Sequence, residues 1–311
     1  MVDATDPYYG FQWGLKDNAT NADINAPQAW DVTQGVTNVI IAVLDTGIDI
    51  DHQDLDGKIV DPFNAITNAT TLASVNDTDP ACHGTVVAGN IAAETNNNYG
   101  IAGVARNCKI MPIKVDDDMT APSIATIVNG INKVRDKAIA GKTSTPRKRY
   151  VMNLSWKVAD SASLHSAIID AYNNDVVIVA AAGDSSTDIV ANPVYPASYA
   201  EVIPVGAHIR NAACAKQANS NFGSNVVMAP GENCRTTIIN TYGDRTGTSV
   251  AASFVSGTAA LCWSKDYQIG SAFNCTGVQI RNAILNHLTP VAGYANKGRV
   301  DARKAVDAVT T

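Results

Sequence analysis

Positive charge is scarce in this chain, and so are aromatic residues, long apolar runs and paired cysteine motifs. Each shortage removes a class of function. Lys and Arg number 23 against 29 Asp and Glu, a net charge of −6, so no basic field gathers polyanions and nucleic acid is excluded as a partner. No apolar stretch approaches the roughly 20 residues of a membrane span. No basic segment followed by an apolar one opens the chain, so it reads as mature or trimmed. The six cysteines, at 82, 108, 214, 234, 262 and 275, contain no C-x-x-C pair, which argues against a zinc site of the usual spacing.

Apolar content is what the sequence has: 46% of its 311 residues are hydrophobic and only 17% charged, enough for one large core or two modest ones. No linker, repeat or low-complexity tract divides it. With zinc set aside, disulfides are the main alternative to free thiols, and the sequential pairs 82–108, 214–234 and 262–275 are preferred while other connectivities stay open. Asn18, Asn68, Asn76, Asn153 and Asn274 each open an N-x-Ser/Thr sequon. Together with the cysteines they point to a secreted protein. Asn153 lies inside an apolar run and is not expected to carry a glycan.

Short β-rich runs alternate with longer segments of helical period. "NVIIAVLDTG", "CKIMPIKV", "RYVMNLSW", "DVVIVAAAG" and "EVIPVGA" are nearly continuous apolar strands, the mark of a parallel sheet covered on both faces. Between them "SIATIVNGINKVRDKAIAG" and "SASLHSAIIDAYNN" carry apolar residues at three-to-four spacing and end near Gly or Asn. The βαβ pattern predicts a doubly wound α/β fold, mostly parallel, with helices on both faces. Polar "NAITNATTLASVNDTDP" and basic "GKTSTPRKRY" read as surface loops.

Ligand sites in such sheets lie beyond the carboxyl ends of the strands. Asp45 follows "VIIAVL", His83 opens "HGTVVAGNIAAE", and Ser249 lies in "GTSVAASFVSGTAALCWS", whose small residues suit a tightly buried helix. Singly, each could be a cap or a satisfied polar residue. In the order Asp, His, Ser they fit nucleophilic catalysis, in which a base takes the serine proton and a carboxylate fixes the imidazole tautomer. His52, His165, His208 and His287 lie in no comparable motif.

With "DINAPQAWDVTQG", "VLDTGIDIDHQDLDGKI", "HGTVVAG", "GIAGVA", "VMNLSW", "VAAAG", "VMAPG" and "GTSVAASFVSGTAAL" in order, the chain resembles the subtilisin-like serine proteases, the subtilase family. "TDPYYGFQWGL" is most similar to the thermitase-type branch. The resemblance implies a subtilisin-like catalytic domain over residues 1–311, with 1–25 as an N-terminal extension packed on it. It implies a monomeric endopeptidase acting on protein or peptide substrates, with Ser249 as nucleophile, His83 as general base then acid, and Asp45 as the orienting carboxylate. A pro-region, absent from this sequence, would act as inhibitor and chaperone. The rival reading is a peptide-binding pseudoprotease.

Asp184, closing "VAAAGD", departs from the family, where an Asn amide donates to the oxyanion. An ionised carboxylate cannot donate, and loss of one such donor costs roughly 10²–10³ in turnover, a value that itself derives from subtilisin. A carboxylic acid kept neutral by burial can donate, so Asp184 is expected to be a modified oxyanion partner. Val86 replaces a frequent His, and Ser253 and Phe254 a frequent Pro-His pair. The resemblance places substrate as an extended strand beside Ser155, where Trp156 and Lys157 stand in place of glycines. Gly183 is expected to contact the substrate, and Val194 to floor a shallow pocket for the residue preceding the cleaved bond. Finally, the resemblance implies a structural calcium site. Its ligands would be Asp6, Asp54 and the Asn97 side chain, with the carbonyls of Glu94, Tyr99 and Ile101, all hard oxygen donors. Cys82, beside His83, is read as a disulfide or inert thiol rather than a reactive one.

Overall fold

Runs of β-branched and other apolar side chains form strands only where both sheet faces can be covered, and this chain covers both. The computed structural model describes residues 2–118 and 122–310. Its strands are β1 (Val39–Asp45), β2 (Phe63–Asn64), β3 (Lys109–Lys114), β4 (Arg149–Leu154), β5 (Val177–Ala181), β6 (Val202–His208), β7 (Val227–Pro230), β8 (Cys234–Ile238), β9 (Thr241–Arg245) and β10 (Gly298–Arg299). The helices are α1 (Ala26–Trp30), α2 (His83–Ala92), α3 (Ile124–Thr143), α4 (Ala162–Asn173), α5 (Thr248–Gly270), α6 (Gly277–Leu285) and α7 (Ala302–Asp307).

Eight strands form one sheet in the order β10-β7-β6-β5-β4-β1-β3-β2, and every pairing within it is parallel. Strand β1 shows why both layers are needed. Val39, Ile41 and Val43 enter the core layer shared with α2 and α5, whereas Ile40, Ala42 and Leu44 enter the layer shared with α3 and α4. The period-2 alternation of a strand produces that division. The segment before β1 joins the first layer through Trp13, Leu15, Ala22 and Ile24, all buried.

The topology sets the position of the cleft. The chain passes from β1 outward to β3, then returns to place β4 on the other side of β1. That reversal opens a crevice at the carboxyl ends of β1 and β4. Helix α5 aims its N-terminus at the same end. It is buried almost all round from Val250 to Ser264, which its Ala, Ser and Gly residues permit; a Cβ on Gly257 would lie 2.5 Å from the Val104 Cβ. Close approach also fixes α2, since a Cβ on Gly84 would collide with the carbonyl oxygen of Gly47.

The antiparallel β8–β9 hairpin, β10, α6 and α7 were not foreseen in the sequence. Strand β8 is rich in Thr, and its hydroxyls serve a particular end: Thr236 Oγ1 donates to Val86 O and Thr237 Oγ1 to Thr85 O, each at 2.7 Å. The hairpin therefore clamps the first turn of α2.

The disulfide expectation is corrected. All six cysteines are free and buried. Cys82 caps α2 beside His83, whereas Cys108 Sγ lies 3.6 Å from Ser264 Oγ. Ser264 is most of the length of α5 away from Ser249, about 22 Å at 1.5 Å per residue, far beyond the roughly 7 Å limit for bridged Cα atoms. Cys234 Sγ faces Glu232 O at 3.7 Å within its own loop, and Cys214 lies beside Tyr294, whose hydroxyl donates to its carbonyl. Cys262 and Cys275 are neighbours but stand as thiols. Burial pushes Cys275 up to about 12 and Cys262 higher still.

Candidate active site

Asp45 is the last residue of β1 and His83 the first of α2, so an end-on meeting of strand and helix brings them together. The imidazole Nδ1 donates to Asp45 Oδ1 at 2.7 Å, and the Thr46 backbone N–H donates to the same oxygen at 2.9 Å. Asp45 Oδ2 is buried without a hydrogen-bond partner. The carboxylate is 1% exposed, whereas the His83 side chain is 20% exposed and faces the cleft.

A second ring of polar groups holds this pair. Asp79 accepts from the His83 backbone N–H at 3.0 Å. Asp77 accepts from Thr46 Oγ1 at 2.9 Å and from Thr85 Oγ1 at 2.6 Å. Buried Lys114, the last residue of β3, donates through Nζ to Thr46 O at 2.7 Å, Asn76 O at 3.1 Å and Thr78 Oγ1 at 3.0 Å. Sequence reading missed Asp77, Asp79 and Lys114, although the acidic pair in "NDTDP" just before His83 was a visible signal. Burial pushes the His83 pKa down. The charge and hydrogen bond of Asp45, with the charges of Asp79 and Asp77, outweigh burial, and the net shift is upward.

Ser249 is the second residue of α5, half-buried beside Gly247. Its Oγ donates to the Ser155 carbonyl oxygen at 3.3 Å and makes no hydrogen bond to His83. Both residues line one cleft of about 380 Å³, together with Ser155, Trp156, Lys157, Gly183, Asp184 and Thr248. Catalytic contacts of this kind commonly tighten only with substrate bound.

Asp184 lies in the cleft, but the burial expected of it is absent: it is exposed. Both its oxygens accept, Oδ1 from Thr248 N–H at 2.9 Å and Oδ2 from Thr248 Oγ1 at 3.1 Å. The Thr248 hydroxyl accepts in turn from Gly183 N–H at 3.1 Å. The position at the mouth of the strands gives water access that a buried carboxylic acid would lack. Gly183 has φ +100°, a backbone conformation that favours glycine.

The expected pocket residues divide. Lys157 is exposed on the cleft wall. Trp156 also lines the cleft, yet it is only 5% exposed and its Nε1 donates to Leu44 O at 2.9 Å, so it is equally a packing residue. Val194 does not reach the cleft lining. It stands behind Gly183 and packs against the core, with its N–H on Ser198 Oγ at 2.9 Å.

The calcium-ligand candidates are only partly assembled as side chains. Asp6 Oδ1 accepts from Asn96 and Asn97 N–H at 2.7 and 3.3 Å, while Asp6 Oδ2 is buried without a partner. Asp54 accepts from Asn97 Nδ2 at 2.9 Å and from Ile101 N–H at 2.8 Å. Tyr99 N–H donates to Asn97 Oδ1 at 3.0 Å. The Glu94 side chain turns away to Lys58 Nζ at 2.8 Å. Burial first, and the Asp54 charge further, raise the Asp6 pKa against the pull of the two N–H donors. Among the described residues no cluster of three or more His, Cys, Asp or Glu side chains is placed to hold a metal.

The chain is similar to known proteins over most of its length. The subtilase-family profile matches residues 36–304. Thermitase of Thermoactinomyces vulgaris is 36% identical over 307 residues, covering 97% of this chain and 98% of its own length. A thermophilic serine proteinase of Bacillus sp. strain AK1 is 35% identical over 308 residues, covering 97% of this chain and 68% of its own. Among solved structures, a protease from Pseudoalteromonas arctica matches with a TM-score of 0.81 at 28% identity, over 99% of this chain and 100% of that one. A family profile spanning most of the chain, relatives above 30% identity across nearly all of it, and a matching fold carry one conclusion: the chain belongs to the subtilase family and is a subtilisin-like serine endopeptidase.

Proposed function

We propose that Ser249 is the nucleophile of this endopeptidase, with His83 as base and then acid and Asp45 as its orienting carboxylate. The observation that carries the assignment is the 2.7 Å contact between His83 Nδ1 and Asp45 Oδ1 at the head of the cleft that holds Ser249. With Nδ1 committed as donor, His83 Nε2 is the free basic nitrogen. Ser249 Oγ turns from Ser155 O toward it, gives up its proton and attacks the scissile carbonyl carbon, while the carbonyl π pair moves onto oxygen. The resulting imidazolium is stabilised by Asp45, with Asp77 and Asp79 behind it. It protonates the leaving amine, and water then repeats the sequence on the acyl-enzyme.

The Ser249 backbone N–H, at the N-terminus of α5, is the main-chain donor toward the developing oxyanion. Asp184 acts there as an altered partner. Its carboxyl holds the Thr248 N–H and hydroxyl, so its influence on the oxyanion runs through the start of α5 as well as through its own charge.

The loop holding Asp6, Asp54 and Asn97 fits a structural cation. A buried carboxylate oxygen without a partner, next to a second carboxylate, is costly unless a positive charge joins it. The donors are oxygens, as Ca²⁺ prefers. Asp6, Asp54 and Asn97 would hold the ion through side chains and Glu94, Tyr99 and Ile101 through carbonyls; bound there it would tie the N-terminal segment to the loop after α2. We also propose a secreted, monomeric protein made as a zymogen. Exposed Asn18, Asn68 and Asn274 support glycan attachment, whereas Asn153 is buried with both amide atoms bonded, to Ser155 and Ser256.

Four outcomes test these assignments. A serine-directed fluorophosphonate is expected to label the protein and to lose all labelling in Ser249→Ala; persistent labelling would displace Ser249. Asp184→Asn restores an amide donor and is expected to keep or raise turnover at neutral pH, by as much as about 10², whereas an Asn variant much slower than the parent contradicts the proposed role. His83 must be neutral to act as base, so its upward shift puts the acid limb of kcat/KM above the ordinary imidazole value of 6.5. Asp79→Asn removes a negative neighbour and is expected to move that limb to lower pH. Chelation by EDTA is expected to lower the melting temperature, and Asp6→Asn to abolish that sensitivity; a melting curve indifferent to chelator removes the cation.

A further inference from the structure

We propose that Lys157 is a specificity-determining residue that favours an acidic side chain at the third substrate residue before the cleaved bond. The inference rests on the reading of Ser249 as nucleophile. Its geometric basis is the short stretch after β4. Pairing with β1 and β5 ends at Leu154, and the Lys157 backbone N–H meets no backbone carbonyl among the described residues. Regular bonding resumes at Val158, whose N–H donates to Tyr195 O at 3.0 Å. Residues 155–157 are thus a free edge facing the cleft, and such edges bind extended peptides by main-chain hydrogen bonds.

Ser155 sets the register. Its carbonyl oxygen lies 3.3 Å from Ser249 Oγ, so the substrate residue that supplies the scissile carbonyl lies beside Ser155. With the preceding residues running back along Trp156 and Lys157, the substrate strand is antiparallel to this edge and its third residue stands opposite Lys157. Opposed residues of an antiparallel pair carry their side chains on the same face, with Cβ atoms about 4.5–5.5 Å apart. Alternation agrees with this placement. Trp156 turns inward, bonded to Leu44 O, and Lys157 turns outward, exposed on the cleft wall.

The ammonium of Lys157 forms no ion pair among the described residues. Two carboxylates close to it along the chain or across the cleft are engaged elsewhere, Asp160 with the Tyr199 hydroxyl at 2.8 Å and Asp184 with Thr248. An acidic side chain placed opposite this free cation is attracted and a basic one repelled. The net charge of −6 acts in the other sense on any acidic substrate, so discrimination comes from the local pair and not from long-range steering. For a solvent-exposed pair the expected preference is about two- to fivefold in kcat/KM.

The test uses fluorogenic peptides identical except for Glu, Gln or Lys at the third residue before the cleaved bond, assayed on the whole protein and on Lys157→Ala and Lys157→Glu. At low ionic strength the parent is expected to prefer Glu over Gln, and Gln over Lys, by that factor. The preference falls to near parity in Lys157→Ala, inverts in Lys157→Glu and shrinks in about 1 M salt. Ratios taken within each variant cancel any change in the folded or active fraction. Equal Glu-to-Gln ratios in all three proteins would overturn the proposal while leaving the nucleophile assignment intact. Cleavage of these peptides that survived Ser249→Ala would overturn both, since the register depends on Ser249.

Discussion

The structure of the site depends on keeping one carboxylate charged where water cannot reach it. Asp45 has an oxygen shared between His83 and Thr46 and another with no hydrogen bond at all. A buried charge so poorly solvated is unfavourable unless the surrounding protein fixes its partners in place. Here the fixing is done by close backbone packing and by side chains bonded to backbone. Gly84 packs against the Gly47 carbonyl with no room for a side chain, Thr46 Oγ1 accepts from Gly84 N–H at 3.0 Å, and Lys114 ties the turn after β1 to the loop carrying Asp77 and Asp79. Three carboxylates crowd the imidazole, and Lys114 supplies a compensating cation behind them. Their field favours the proton on His83, which is the property the proposed general base needs during bond breaking.

That arrangement explains the composition of the flanking helices. Helix α2 must approach the β1 turn closely, so its first turn contains Gly84 and two buried carbonyls of that turn accept from threonines of β8. Helix α5 must run beneath the sheet with its N-terminus at the cleft, so small residues replace the amphipathic stripe that α3 and α4 show. In each case the site dictates a close approach, and the close approach dictates residue size.

Much of this was legible in the sequence. The five apolar runs appear as β1, β3, β4, β5 and β6 because burial on two faces leaves an unbroken hydrophobic signature. Helices α3 and α4 appear because burial on one face leaves a periodic one. The β8–β9 hairpin was not legible: its threonines satisfy helix carbonyls instead of a core, so no apolar pattern marks it. The cysteines misled for a related reason. Their even number suggested bridges, but spacing along the chain carries no information on distance across it, and Cys82 and Cys108 lie toward opposite ends of the layer formed by α2 and α5. Asp184 was legible as a departure but its exposure was not, because exposure depends on how the strand ends open at the cleft.

In the proposed mechanism Asp184 and the substrate oxyanion draw on the same source of positive potential. The first N–H groups of α5 are unsatisfied within the helix and carry its positive end. Asp184 takes the Thr248 N–H, which in the proposed mechanism leaves the oxyanion with that of Ser249. An asparagine in this place would add a donor to the pair, whereas a carboxylate adds a competitor for it. The two negative groups are one residue apart along the helix, so charge developing on the substrate weakens the hold of Thr248 on Asp184, and the reverse. Transition-state stabilisation then depends on the difference between the two interactions rather than on either one. That coupling is particular to a carboxylate at this position, and it persists however well Asp45, His83 and Ser249 are placed.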